Sequence, residues 1–439
     1  MSVSIAQTFA GGIHPAEIGN GKTATQSEAI RTAAAPAKVT IPMSMHGGAP
    51  AECVVKAGDI VNLGQVIGEA HGGISAPVHA SVSGRVIAVV NVATAVGKCF
   101  PAVVIENDFE DRLDPSVVQT ENPSSEDVVR LAGEKGIVGL GGAGFPTRVK
   151  LDVSKLDPKP DTLIVNGSEC EPYLTSDHRL MVEEAEKIVD GILLAMKATG
   201  TSHALVGIEN NKPDAIAAMQ MAAKDGVEIV SLPVRYPQGC EKMLIYALTG
   251  RRVPNGGLPS AVQCVVLNVA TCAALSDAVR TGMPLVERVV TLTGKVNNPG
   301  NYRVRIGTNL MDLVDQAGGL EDGVRKAIVG GPMMGNAIPN LNVPITKNFG
   351  GFLALGEEGL AQEESACIRC GRCVRACPMG LMPTQMDAAI RHGEIETALN
   401  LGVLNCMECG SCTYVCPAKR ELTQSFRMAK AMNRMRSTK

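Results

Sequence analysis

The chain has no tryptophan, and five tyrosines and seven phenylalanines are its whole aromatic complement in 439 residues. So few planar side chains leave little material for stacking on bases. An excess of positive charge is missing too. Forty-one lysines and arginines face 44 carboxylates, a formal charge of −3, which excludes a nucleic-acid binder that works by neutralising phosphates. No apolar run approaches the ~18 residues a membrane span requires. The amino-terminal stretch MSVSIAQTFAGGIHP lacks the basic region and apolar core of a secretory signal. A cytoplasmic protein is expected, reaching a membrane only by docking on a partner. A content of 45 % apolar and 19 % charged residues belongs to a folded globular chain, and the length calls for several domains.

What is present in excess is cysteine. Eight of the fourteen fall between Cys367 and Cys416, and a cytoplasmic protein does not use such a cluster for disulfides. Cys367, Cys370, Cys373 and Cys377, followed by Pro378, form one C-x2-C-x2-C-x3-C-P run. Cys406, Cys409, Cys412 and Cys416, followed by Pro417, form a second. In this bacterial ferredoxin pattern three closely spaced cysteines wrap one cubane and the fourth reaches the other cluster. Cys367, Cys370, Cys373 and Cys416 are therefore assigned to one 4Fe–4S cluster. Cys377, Cys406, Cys409 and Cys412 are assigned to the other. Structural zinc uses two C-x2-C halves with a spacer instead. Residues 383–404 between the runs read as a helical pair, and the module serves electron transfer. Cys53, Cys99, Cys170, Cys240, Cys264 and Cys272 are scattered and default to small buried hydrophobes.

Elsewhere the pattern is modular. Residues 36–115 alternate short apolar runs with turns, an all-β domain. Its AGDIV, GQVI and SAPVHASVSGRV segments look like a barrel-sandwich hybrid of the lipoyl and biotinyl-carrier type. No lysine stands near Pro77 or His79 to be modified, so a structural or docking role is expected, with His46 and His79 as ordinary histidines. Residues 122–282 alternate helix and strand, an α/β sandwich with a largely parallel sheet. A helix capped by Ser124 or Ser125 opens it. One continuous helix is expected from about Asp177 to Thr199, closed by Gly200. Residues 286–355 read as a β-grasp module, with a turn at Asn298–Gly300 and a helix capped at Thr308. Residues 1–35 form an amino-terminal segment, and residues 360–439 the double ferredoxin with a basic tail. That tail reads as a solvated helix end, with docking to acidic partners or membranes as the alternative.

Three strand-end clusters face a glycine-rich loop. The loop is Gly139-Leu140-Gly141-Gly142-Ala143-Gly144-Phe145-Pro146-Thr147. Its bare backbone lets N–H groups approach a phosphate or a flat ring, though alone it reads equally as a tight turn. The clusters are Asn166-Gly167-Ser168-Glu169-Cys170-Glu171-Pro172, then Tyr236-Pro237-Gln238-Gly239-Cys240-Glu241-Lys242, and finally Asn268 with Thr271. Polar residues gathered at the carboxyl ends of strands make a cofactor pocket.

These same motifs, GLGGAGFPTRVK, NGSECEP, YPQGCEK and NVAT, resemble the flavin-site motifs of the NADH-binding flavoprotein subunit of respiratory complex I. TLTGKVNNPGNYRV resembles the β-grasp module of those proteins. With FAGGIHP, the barrel-sandwich and the double ferredoxin, the chain from Phe9 to Arg427 resembles the RnfC proteins of the Rnf electron-transport complex. The resemblance implies non-covalent FMN and NADH as electron donor. It implies Gly139, Gly141, Gly142 and Lys150 at the FMN phosphate or ribityl chain. Asn166, Ser168 and Glu169 would line the flavin, with Gly239, Asn268 and Thr271 completing the pocket. Phe145, Glu171, Tyr236 and Glu241 would face the dinucleotide. Leu140, Cys170, Cys240 and Lys242 depart from the complex I pattern, most of all around the nicotinamide. No residue is assigned as catalytic, and none is assigned to the ribose 2′ position. The implied partners are the membrane and ferredoxin-like subunits of an ion-pumping complex on the cytoplasmic face of a bacterial membrane. A soluble relative such as cobalamin reductase or a hydrogenase diaphorase subunit is the rival enzyme. A non-enzymatic cluster-bearing scaffold is the rival of another class.

Overall fold

The computed structural model describes residues 7–17 and 19–437; Lys439 of the basic tail lies outside them. The chain begins as a strap across later modules, and its first strand, β1 (Arg31–Thr32), joins the β-grasp sheet, not the adjacent barrel. The barrel-sandwich is built from β2 (Lys38–Pro42), β3 (Glu52–Cys53), β4 (Ile60–Val61), β5 (Val66–Glu69), β6 (Val78–His79), β7 (Gly84–Ala93) and β8 (Cys99–Asn107). They form two antiparallel sheets, ordered β2-β8-β7-β4 and β3-β5-β6. Val39, Ile41, Val86, Val103 and Ile105 close its interior.

The α/β domain opens with α1 (Ser125–Glu134). Ser124 caps it, its hydroxyl accepting from Asp127 N–H while the Asp127 carboxylate accepts from Ser124 N–H, a reciprocal capping box. After α2 (Thr147–Leu151) come four parallel strands: β9 (Thr162–Asn166), β10 (His203–Glu209), β11 (Val227–Leu232) and β12 (Cys264–Asn268), ordered β11-β10-β9-β12. Their alternate side chains face two different cores. Leu163, Val165, Val206, Val265 and Leu267 turn to one side; Ile164, Leu205 and Val266 turn to the other. Helices therefore cover both faces, as a parallel sheet requires. α6 (Glu241–Thr249) lies on the second face through Leu244 and Ile245. α3 (Ser176–Glu183), α4 (Ala185–Thr199), α5 (Pro213–Ala222) and α7 (Val269–Arg280) lie on the first.

The single helix expected from Asp177 to Thr199 is two. Glu184 leaves helical geometry at φ −128° and ψ 31°, and its carboxylate pairs with Arg303 of the next module and with Lys187. A tertiary ion pair overrides an unbroken apolar periodicity. Gly200 does close α4, at φ +70°.

The β-grasp sheet runs β1-β14-β13-β17-β15-β16, from β13 (Glu287–Gly294), β14 (Gly300–Arg305), β15 (Lys326–Val329), β16 (Asn336–Ile338) and β17 (Gly351–Leu355). Its helix α8 (Leu310–Gln316) is capped by Asn309, which accepts from Met311 N–H. Thr308, expected there, instead donates its hydroxyl to Arg305 O.

The last module holds α9 (Arg372–Ala376), α10 (Pro383–Arg391), α11 (Ile395–Asn400), α12 (Ser411–Tyr414) and α13 (Leu422–Ser437). α13 buries Leu422, Phe426 and Ala429, and basic residues on it and just before it pair with acids of the module. Arg420 meets Asp387 at 2.6 Å, Lys430 meets Glu408 at 2.8 Å, and Arg436 meets Glu396 at 2.7 Å. Much of the tail's positive charge is thus spent within the module.

α4 and α7 approach most closely at Gly191. A Cβ there would lie 1.8 Å from the Cys272 carbonyl oxygen, and backbone cannot yield as a side chain can. Gly191→Ala is expected to cost about 3 kcal/mol or more, read from the denaturant midpoint. A loss within ~0.5 kcal/mol, the range of ordinary surface changes, would show that the two helices part freely.

Candidate functional site

The carboxyl ends of the parallel strands bring the four sequence motifs together. β12 pairs with β9 so that Asn268 lies opposite Asn166. Asn166 donates through Nδ2 to Gly239 O at 2.8 Å and accepts at Oδ1 from Ser168 N–H at 3.1 Å. Asn268 caps α7 by accepting from Ala270 N–H, and its Nδ2 donates to Asp177 at 2.6 Å. The glycine-rich loop is tied to the same helix end, since Leu140 N–H donates to Thr271 Oγ1 at 3.0 Å. Gly141 sits so near Asn268 that a Cβ would be 3.1 Å from it. Gly142, at φ +154°, faces open space. Lys150 reaches across to Glu241 at 2.8 Å and to Val266 O at 2.9 Å. Phe145 is half-buried on the loop.

Three expected ring or dinucleotide neighbours are engaged otherwise. Glu169, at φ +46°, accepts from Asp177 N–H at 2.7 Å and His178 N–H at 3.1 Å, so it satisfies the free donors of the first turn of α3. Glu171 accepts from Met333 N–H at 3.1 Å and Met334 N–H at 2.8 Å, clasping the loop between β15 and β16. Tyr236 is 2 % exposed, and its phenol donates to Cys409 O at 2.7 Å. The last two join segments far apart in sequence, which no local motif announces.

Sequence reasoning also missed residues. Asp177 stands beside Asn268, readable beforehand only as an ordinary first-turn acid. Two lysines brace the loop from Ser168 to Leu174: Lys212 Nζ donates to Ser168 O at 2.7 Å, and Lys22 Nζ to Glu169 O at 2.8 Å and Leu174 O at 2.6 Å. Lys22 arrives from the amino-terminal strap.

Four of the ferredoxin cysteines meet at one place. Cys377, Cys406, Cys409 and Cys412 line one recess, walled by Leu381, Met386 and Phe426. Among the described residues no three histidine, cysteine or carboxylate side chains converge on a single-ion site; the four thiols ring a space. Four thiols lining one recess are the donor set that a 4Fe–4S cluster takes. Burial pushes the Cys406 thiol up to about 11 and Cys412 to about 12, so these groups favour the thiol form unless bound iron supplies positive charge.

This recess meets the strand-end motifs. Ile13, Tyr236, Ala376 and Cys409 form one apolar cluster, with Cys170 and Met333 against it. Ile13 and Tyr236 exchange backbone hydrogen bonds of 2.9 Å in both directions, and Gly12 N–H donates to Ala376 O at 3.0 Å.

Four family models match the chain: the RnfC barrel sandwich hybrid domain at residues 7–110, the Nuo51 FMN-binding domain at 132–277, the SLBB domain at 289–337 and the 4Fe-4S dicluster domain at 360–417. The C component of the proton-translocating ferredoxin:NAD(+) oxidoreductase complex of Clostridium ljungdahlii is 45 % identical, over 98 % of this chain and 94 % of that protein. Its counterpart from the Na(+)-translocating complex of Acetobacterium woodii is 44 % identical, over 96 % of each chain. The chain belongs to the RnfC family. A crystal structure of an NAD+-reducing NiFe hydrogenase in the H2-reduced state shares the fold, with a TM-score of 0.51 and 22 % identity over 70 % of this chain and 62 % of that one.

An FMN-binding domain and a 4Fe–4S dicluster domain are thus parts of this RnfC chain, and its own residues fit both groups. At the pocket the fit rests on unmet polar atoms. Ser168 Oγ and both amide atoms of Gln238 are buried without a hydrogen-bond partner, a cost that a bound polar group would relieve. No described helix is long and apolar enough to cross a membrane.

The pocket's supports are electrostatically poised. Burial pushes the Glu171 carboxyl from its ordinary 4.5 up to about 7. Burial, with Glu169 beside it, pushes Asp177 from 3.8 up to about 7. A carboxyl raised on folding stabilises the fold fully below its unfolded value, and that contribution is lost as pH rises through the folded one. Each group therefore weakens the fold between about pH 4.5 and 7, by ~1.4 kcal/mol per pH unit at most. Glu171→Gln keeps an acceptor and removes the titration. Its melting temperature relative to the parent protein should climb steadily from pH 5 to pH 7. A constant difference would show that Glu171 does not titrate there.

Proposed function

We propose that this chain is the electron-input subunit of a membrane ion-pumping complex, exchanging electrons reversibly between NAD(H) and ferredoxin-linked partner subunits. Family membership supports that reading. The single observation that carries it is the junction at Tyr236, where a strand-end cofactor pocket and a cysteine-lined recess share one apolar cluster. A scaffold has no need of that junction. Bound FMN would supply the exchange between a two-electron hydride donor and one-electron clusters.

The residues divide by task. Gly139, Gly141, Gly142 and Lys150 hold the phosphate and ribityl end of FMN. Asn166, Ser168, Gly239, Asn268 and Thr271 line its body with hydrogen-bond donors and acceptors. Phe145 and Glu241 flank the open side, where NADH approaches. Glu169, Glu171 and Tyr236 act as supports, holding α3, the loop at Met333 and the cluster loop against the pocket. No side chain serves as a general acid or base, because the protein's part is positioning. Cys367, Cys370, Cys373 and Cys416 hold one 4Fe–4S cluster, and Cys377, Cys406, Cys409 and Cys412 the other. The chain reaches the cytoplasmic face of the membrane through its partners.

The test is anaerobic purification with assays of iron, sulfide and flavin, followed by NADH. About eight irons and one FMN per chain, bleached by NADH, are expected. Gly142→Val adds a side chain into open space beside the loop and forces its strained φ on a residue with Cβ. It should keep the iron while losing the flavin and the bleaching. Iron without flavin in the parent protein, even after incubation with FMN, would overturn the pocket assignment.

A further inference from the structure

The two cluster sites face opposite environments. Cys409 and Cys412 are buried, and the loops carrying Cys377 and Cys409 are covered from the flavin-domain side. Tyr236 holds Cys409 O. A Cβ on Gly11 would lie 2.8 Å from Cys377 O, and one on Gly410 2.9 Å from Met333 O. The other site is open. Every residue from Ala361 to Cys370 is exposed, Cys367 and Cys370 included, and Ile368 stands 68 % exposed at the tip.

Charge marks the open site as well. Between Ser365 and Met386 the chain carries Arg369, Arg372 and Arg375 and no acidic residue. All three are exposed, and no ion pair engages them among the described residues. Arg372 and Arg375 are three apart on α9, on neighbouring positions of one face. Glu364, the adjoining acid, is bound to Arg391 at 2.9 Å. This contrasts with Arg420, just before α13, and with Arg427 and Lys430 on it, which are paired within the module.

We infer that electrons cross the module from the second-motif cluster to the first-motif cluster and leave through the face of Ile368, Arg369, Arg372 and Arg375, which docks an acidic iron–sulfur carrier of the ferredoxin type. The inference rests on the electron-input reading above and adds the order of the clusters and the docking face. An exposed apolar residue and three unpaired cations on the segment that carries solvent-open cluster ligands are complementary to an acidic protein whose own cluster lies near its surface. Electrostatic attraction there would steer encounter and fall with salt.

The test uses the intact, cluster-loaded protein and a small acidic ferredoxin with 4Fe–4S clusters as probe. Affinity is measured anaerobically at several salt concentrations. Arg369→Glu/Arg372→Glu/Arg375→Glu is expected to weaken binding by tenfold or more at low salt. Iron content and reduction of the protein's own clusters by NADH should stay unchanged. Arg372→Gln/Arg375→Gln should give a smaller loss in the same direction, which covers the case where the triple variant fails to assemble. Lys38→Glu/Arg85→Glu/Lys98→Glu on the barrel-sandwich makes an equal change in net charge and should bind as the parent does. Unchanged binding in both arginine variants, or an equal loss in the barrel variant, would overturn the exit face. Failure of NADH to reduce the parent's clusters, with salt-dependent binding intact, would instead overturn the electron-input reading alone.

Discussion

One hydrogen bond organises the molecule: the buried Tyr236 phenol donating 2.7 Å to the carbonyl of Cys409. It links a residue that follows a strand of the cofactor-binding sheet to the loop that lines the ferredoxin recess. Electron transfer weakens steeply with distance, so two cofactor sites on separate modules are useful only if the modules are held in register. Burial makes that bond matter. Tyr236 is almost wholly enclosed, burial drives its phenol far above the ordinary tyrosine range, and the proton stays on the oxygen as a donor. Around it the strap at Gly12 and Ile13, and the loop at Met333, add contacts from two further modules.

The accessory modules share the task of holding that register. The amino-terminal strap inserts Lys22 beneath the loop from Glu169 to Leu174. It then hydrogen-bonds through Thr25 to Thr175 at 2.6 Å before adding β1 to the β-grasp sheet. The β-grasp module answers through Asn301, which donates to Thr25 O at 3.1 Å and accepts from Thr291 Oγ1 at 2.8 Å. It also answers through Met333 and Met334, which Glu171 grips. Buried polar networks of this kind specify one arrangement because every unmet group is costly. The barrel-sandwich meets the same core through Lys347, whose Nζ donates to Pro77 O and Gly136 O.

What the sequence made legible is what is local. Cysteine spacing alone predicts the crossed ligand sets, because three ligands within seven residues and a fourth before proline are a short-range geometry. A helix cap at Ser124 or Ser125, the αL glycine at 200 and the strand ends at Asn166 and Asn268 were readable for the same reason. The break at Glu184 was not, since its apolar periodicity is continuous and its partner Arg303 lies over a hundred residues away. Glu169, Glu171 and Tyr236 fall in the flavin-site motifs, yet their hydrogen bonds go to α3, the β-grasp loop and the ferredoxin. The motif located them, and only the tertiary structure assigns their partners. The basic tail was legible as a helix, but its pairing with Asp387, Glu408 and Glu396 depends on how α13 packs.

The central claim is that the cluster of Cys377, Cys406, Cys409 and Cys412 stands between the flavin-domain pocket and the other cluster. Freeze-quench electron paramagnetic resonance on two variants tests it directly, each loaded with flavin and its remaining cluster and mixed with NADH. In Cys370→Ala, which removes an outer ligand, the remaining cluster should be reduced about as fast as in the parent. In Cys409→Ala, which removes an inner one, reduction of the remaining cluster should slow drastically. Fast reduction in Cys409→Ala together with slow reduction in Cys370→Ala would reverse the order of the clusters and contradict the account.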